Sequence, residues 1–191
     1  MSQSKENIAV YILCGGKSTR MQEEKGLVDF QGKPFIQWIL EAIFPLSSNI
    51  TLVTKNKAYQ KFGFPLISDL QDDKGPVGGI YTALAHSDTQ TNLILSCDIP
   101  KITTNVLSEL ITQAKNCKNS ICFLTDGLHD YPLIGCYSKS LLPVFAEAVL
   151  ESRLKLCPLV NEQNPMKLFV YQKNQSALTN INSKAELHSL T

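Results

Sequence analysis

Residues 8–21 read IAVYILCGGKSTRM, and the way that stretch is parsed decides the fold. Residues 8–13 form a short apolar run that stops at a glycine pair, which reads as a buried strand running into a loop. The loop continues through GGKSTRMQEEKG. Its Gly-Lys-Ser looks like the tail of a Walker phosphate loop, but that motif needs a glycine five positions before its Gly-Lys, where this chain has Tyr11. The dinucleotide fingerprint G-x-G-x-x-G fails too, because Gly15, Lys17 and Arg20 break its register. Taken alone, the stretch is a tight turn between a strand and the next element.

Working outward, strand-like and helix-like segments alternate. From Pro34 the pattern FIQWILEAIF has helical spacing with Pro34 in the first turn. Residues 50–53 predict a second strand, 57–62 a short helix and 64–67 a third strand. SDLQDDKGPVGG is read as a loop leading into a helix over 80–86. A strand at 93–96 ends at Cys97-Asp98-Ile99-Pro100, and a helix follows over 106–114. Strands at 121–124, 133–137 and 168–171 and helices at 141–150 and 184–190 complete the pattern. Such alternation implies right-handed crossovers and a mostly parallel sheet covered on both faces, hence an α/β, three-layer, Rossmann-like sandwich. No repeat, low-complexity tract or linker divides the chain, so residues 1–191 are expected to be one domain.

In such sheets ligands sit beyond the carboxyl ends of the strands. The loop after the first strand, the segment from Asp69 to Gly79 and the turn at Asp98 all fall there, so they are expected to converge on one crevice. A Gly-Gly pair at positions 15 and 16 lets backbone N–H groups approach phosphate oxygens or a base edge without a Cβ in the way. Lys17, Arg20 and Lys25 add three cations, either solvated surface charges or a triphosphate clamp. Asp98 is either a turn former or the hard oxygen ligand that Mg²⁺ beside a polyphosphate requires, and Asp69 offers a second acid with the same two readings.

Composition narrows the class. A net charge of +1 with scattered basic residues does not suggest a duplex nucleic acid or an anionic membrane as partner. The six cysteines include no C-x-x-C pair and no histidine at metal-ligand spacing, which favours thiols in a reducing compartment. The polar start MSQSKEN lacks the apolar core of a signal peptide, and no window approaches bilayer length. A soluble, cytoplasmic protein is expected.

The ordered set ILCGGKSTRM…EKGLVDFQGKPFI, SD…KGPVGGI, LSCDIP and NINSKAEL resembles the molybdenum cofactor guanylyltransferases, the MobA-type branch of the nucleotidyltransferases with a glycosyltransferase-A-like fold. The resemblance spans nearly the whole chain. It implies transfer of GMP from GTP to molybdopterin bearing molybdenum, with Mg²⁺ and release of pyrophosphate. It further implies that Leu13, Cys14, Gly15 and Gly16 contact guanine through the backbone, and that Arg20 and Lys25 neutralise charge on the phosphates. Asp98 would hold Mg²⁺, while Asp69, Thr54 and Gly78 would lie near the nucleotide. Asn180 and Asn182 match a segment on the pterin side of the crevice, or else form a polar helix entry. Partner proteins that deliver the pterin and accept the labile product are implied by the chemistry.

The chain departs from the family in three places. Met21-Gln22-Glu23-Glu24-Lys25 stands where the family has Met-Gly-x-Asp-Lys, Cys14 stands where it has alanine, and Thr54 aligns with an asparagine, with Asn56 two residues on. Cys14-Gly15-Gly16 and Gly75-Pro76-Val77-Gly78-Gly79 favour GTP over the CTP or sugar-phosphate branches. Those branches, and a nucleotide-binding adaptor without turnover, remain the competing readings.

Overall fold

The computed structural model of the chain describes residues 8–15, 24–179 and 181, leaving aside the side chains of 172–174. In chain order the elements begin with β1 (Ala9–Leu13), a ribbon of β2 (Asp29–Phe30) and β3 (Lys33–Pro34), α1 (Phe35–Ile43), β4 (Ile50–Val53) and β5 (Leu66–Ile67). They continue with α2 (Gly75–His86), β6 (Thr91–Ser96), α3 (Thr104–Asn116), β7 (Ile121–Thr125), β8 (Asp130–Ser138), α4 (Leu142–Leu150), α5 (Leu156–Asn161) and β9 (Met166–Phe169).

Seven strands form one sheet in the order β5-β4-β1-β6-β8-β7-β9. β1 lies between two parallel neighbours, with Leu13 opposite both Val53 and Ser96. All strands run the same way except β8, which is antiparallel to β6 and β7. The mostly parallel, three-layer expectation holds. The reversal at β8 has a simple cause: only residues 126–129 separate it from β7, and so short a connection can make only a hairpin.

Period-two alternation along β1 divides the core. Ile8, Val10, Ile12 and Cys14 face α1 and α3, whereas Ala9, Tyr11 and Leu13 face α2 and α4. Each fully buried aliphatic side chain on these two faces contributes roughly 1.5–3 kcal/mol. A third cluster of Val28, Phe30, Phe35 and Ile181, with Trp38 against it, fastens the β2–β3 ribbon to α1.

Several boundaries differ from the sequence expectation. Gly75-Pro76-Val77-Gly78-Gly79 is not a loop but the first turns of α2. Pro76 needs no N–H there, and the missing side chain of Gly79 lets α2 lie against β1, where a methyl group would come within 3.0 Å of Leu13 Cδ1. The segment Lys57–Phe62 is a 3-10 turn rather than an α-helix. β5 keeps only two of four expected residues, and β9 lies two residues upstream of the expected strand. The expected helix over 184–190 lies outside the described residues. No described helix is long and apolar enough to cross a membrane.

Candidate functional site

The carboxyl ends of β1, β4 and β6 and the N-terminal turn of α2 enclose a cleft of about 530 Å³. Its walls include Leu13, Cys14 and Gly15 after β1, Asp69 after β5, Gly75, Pro76 and Gly79 of α2, Cys97 and Asp98 after β6, and Lys25 from across the mouth. The expected convergence of three distant loops is therefore met, because parallel strands bring their C-terminal loops to one edge of the sheet.

Asp98 is the best-defined corner. Its Oδ2 accepts a hydrogen bond from Lys25 Nζ at 3.2 Å, with the two side chains 15% and 26% exposed. Its backbone carbonyl accepts the N–H of Ile181 at 3.0 Å, so a residue near the chain's end braces the corner. Its Oδ1 is buried with no hydrogen-bond partner. An orphaned carboxylate oxygen in a polar cleft costs about 1–3 kcal/mol unless a ligand satisfies it. Mg²⁺ takes one or two protein carboxylates and completes its shell with phosphates and water, and Asp98 fits that pattern. Among the described residues no group of three or more acidic, histidine or cysteine side chains gathers as a ready-made metal cage. A phosphate-sharing ion is thus the kind of metal that suits this donor set.

Asp69 forms the opposite corner. Its Oδ1 is also buried without a partner, while its Oδ2 lies 3.9 Å from where a Cβ on Gly15 would be. Burial pushes its carboxyl pKa up, an effect that Lys55 only partly offsets. Gly75, Pro76 and Gly79 of the α2 N-terminal turn border the same space, where the first N–H groups of a helix lack intrahelical acceptors, and Lys74 lies beside it with Nζ 3.1 Å from Ser152 Oγ. Backbone N–H groups, a cation and two carboxylates around one hollow suit a nucleoside polyphosphate and its metal ion.

The Cys14 thiol in the cleft wall is poorly suited to act as a nucleophile. Cys14 is buried, and desolvation first, with Cys97 beside it second, holds its pKa well above the ordinary value. All six cysteines lack disulfide bonds. His86 packs against Tyr11, and His129 is exposed in the β7–β8 hairpin beside Asp126.

Of the residues expected at the site, Leu13, Cys14, Gly15, Lys25, Asp69 and Asp98 line the cleft. Gly16, Arg20, Asn180 and Asn182 lie outside the described residues. Thr54 and Gly78 are not among the lining residues. Thr54 is buried and its hydroxyl accepts the N–H of Asn56, whose own side chain caps the 3-10 turn by accepting from Ala58 N–H. Gly78 packs inside α2, where a methyl would meet Lys74 Cβ at 2.6 Å, and its neighbour Gly79 faces the cleft instead.

Sequence reasoning missed Val53, Lys74 and Leu133 as lining residues. Lys74 carried a signal, since Pro76 two residues on marks a helix start. Leu133 carried none, because it reaches the cleft only through the reversed direction of β8. A larger apolar hollow of about 750 Å³ beside α1, lined by Leu40, Phe44, Phe62 and Phe64 among others, contains neither of the orphaned carboxylate oxygens. The chemistry therefore belongs to the smaller cleft.

Comparison with known proteins identifies the family of the chain. Residues 10–164 match the description of a MobA-like NTP transferase domain. The chain is 47% identical over 97% of both chains to a probable molybdenum cofactor guanylyltransferase of Flavobacterium johnsoniae. It is 32% identical to a molybdenum cofactor guanylyltransferase of Vibrio parahaemolyticus, covering 92% of this chain and 91% of that one. In fold it is similar, with a TM-score of 0.83 and 24% identity over 95% of each chain, to the molybdopterin-guanine dinucleotide biosynthesis protein A of Archaeoglobus fulgidus.

Proposed function

The chain belongs to the MobA-like NTP transferases and is a nucleotidyltransferase, and from that premise we propose that it transfers GMP from GTP to molybdenum-bearing molybdopterin, releasing pyrophosphate. The observation that carries the proposal is the Asp98 corner, where a carboxylate with one oxygen on Lys25 and one orphaned faces a glycine turn.

In this reading the Leu13–Gly15 backbone faces guanine. Gly15 is well suited, because the nearest atom to an added Cβ there is Asp69 Oδ2 at 3.9 Å, so the turn lies open beside the acid. Lys25, together with Arg20, balances charge that develops on the α-phosphate and on the departing pyrophosphate. Asp98 would hold Mg²⁺, which when bound supplies further charge neutralisation on the phosphate oxygens. The attacking group is a phosphate of the acceptor, already anionic, so the protein need supply neither nucleophile nor general base. The buried Cys14 thiol, with its pKa raised, is consistent with that economy.

The proposal treats residues 1–191 as a single nucleotidyltransferase domain acting in the cytoplasm. Other proteins would deliver the pterin and accept the product, and neither nucleic acid nor membrane would take part. Thermal-shift titration with GTP and CTP in Mg²⁺, followed by pyrophosphate release with molybdopterin, tests it. GTP should raise Tm more than CTP, and pyrophosphate should appear only when the pterin is present. A stronger response to CTP, or binding without turnover, overturns the proposal.

A further inference from the structure

Beneath Lys25 lies a side chain that neither the motifs nor the comparisons single out. Tyr59 is fully buried, although its neighbours on the 3-10 turn Lys57–Phe62 are exposed or half-buried. The turn is held at both ends, by Asn56 at its start and by Gly63 with φ 77° at its end. From it the Tyr59 ring passes under the segment that carries Lys25. A methyl group on Gly26 would sit 2.5 Å from Tyr59 Oη, 3.1 Å from its Cε1 and 3.2 Å from Cys97 Cβ. On the other side of Lys25, the Tyr59 hydroxyl donates to Glu24 Oε2 at 3.5 Å, long for a hydroxyl–carboxylate bond. The phenol therefore touches both residues that flank Lys25 in the chain, and Cys97, the residue before Asp98, closes the same packing unit.

We propose that Tyr59 is a positioning residue for phosphoryl transfer: its phenol sets the height of residues 24–26, so that the Lys25 ammonium meets Asp98 Oδ2 and the phosphates of the nucleotide. This rests on the guanylyl-transfer reading, because it assigns Tyr59 to the same site. The residue acts through Lys25 and touches no substrate.

Two further observations support it. Burial, followed by the neighbouring thiols of Cys97 and Cys14 and the Glu24 carboxylate, raises the Tyr59 pKa far above its ordinary value, so the hydroxyl stays a donor at every working pH. The glutamate side chain at position 24 is long enough to reach the phenol, which is rooted in the turn after β4. Lysine swings on a flexible four-carbon stem, so its placement depends on where its backbone is anchored. A displacement of about 1 Å at a charge-stabilising group costs on the order of 100-fold in rate.

The test compares Tyr59→Phe and Glu24→Gln, each in the wild-type and the Lys25→Ala background, using the full chain with Mg²⁺, GTP and molybdenum-bearing molybdopterin. Each single change is expected to lower kcat about tenfold with KM for GTP within about twofold and Tm nearly unchanged, an effect smaller than outright misplacement because the ring remains. In the Lys25→Ala background neither change should lower the rate further. A loss that persists there, or a fall in Tm with kcat intact, overturns the proposal. If the wild type shows no turnover, the reaction assignment fails instead. Positioning is then read on the ligand-free protein by acylating amines with an N-hydroxysuccinimide ester, where Tyr59→Phe should change the rate at Lys25 several-fold relative to Lys61. An unchanged rate at Lys25 overturns the positioning role whatever the reaction.

Discussion

The cleft has two acidic corners, and the chain holds them in opposite ways. At the end of β6, Asp98 has a lysine 3.2 Å from one oxygen and a backbone brace on its carbonyl. At the end of β5, Asp69 forms no ion pair among the described residues, and Lys55, the cation that eases its burial, is ion-paired with Asp72. Both acids keep one buried oxygen unpartnered. The difference teaches which partner each awaits. In the proposed reaction the carboxylate that already holds a cation would serve the phosphates and their metal ion, and the one left without a cation would accept hydrogen bonds from the nucleotide.

Changes that abolish this asymmetry should have the largest effects. Asp98→Ala removes the carboxylate that pairs with Lys25 at 3.2 Å, and pyrophosphate release should fall by at least about 1,000-fold while the circular dichroism spectrum and Tm stay near wild type. Retained activity would mean that Asp98 holds no metal. Lys25→Ala leaves Asp98 without its cation and should reduce kcat by about 100- to 1,000-fold, the scale seen when one charge-stabilising group is removed. A change confined to KM would assign Lys25 to ground-state binding alone.

Asp69→Asn should leave kcat closer to wild type but weaken GTP binding about tenfold in a thermal-shift titration, a loss of about 1.4 kcal/mol. The same variant should reverse a pH trend. Because burial raises the folded-state pKa of Asp69, the wild type loses stability as pH rises from the unfolded value through the raised one, and the asparagine variant escapes that loss. Its Tm should exceed that of the wild type above the window and match it below. An equal Tm difference at all pH values would exclude Asp69 as the titrating group.

The smallest effect is expected at Gly79→Ala. The added methyl meets Leu13 Cδ1 at 3.0 Å and must push that flexible side chain aside, at a stability cost of about 1 kcal/mol. Activity should fall only slightly, and mostly through KM for GTP, since Leu13 lines the cleft and would contact the nucleotide in the proposed reaction.

The same two corners show what could be read from the amino-acid order. Asp98 was legible, because an aspartate directly after the apolar run LILSC can only lie at a strand's end, and strand ends are where α/β sheets bind ligands. Its pairing with Lys25 was less so, as the two lie far apart in the chain and meet only through the packing of the β6 turn against the 3-10 turn Lys25–Leu27. Gly75-Pro76-Val77-Gly78-Gly79 was misread as a loop because glycine and proline serve a helix N-terminus as well as a turn, and tertiary burial of Val77 and Ile80 decided between them. The direction of β8 was missed since strand periodicity carries no sign. Tyr59 escaped notice for a related reason. Nothing in KAYQKF distinguishes an aromatic that fills a core from one that supports a lysine two elements away.

The hydrogen bond from Ile181 N–H to the Asp98 carbonyl, with the Ile181 side chain buried among Val28, Phe30 and Phe35, also has a meaning in time. Chains emerge from the ribosome N-terminus first, so β1, α2 and β6 are available to assemble well before residue 181 is made. The brace on Asp98 becomes possible only once residue 181 is made, later than the contacts among β1, α2 and β6. A nascent chain able to build most of its sheet would still lack this fastening of its acidic corner, which ties completion of the site to the synthesis of residue 181.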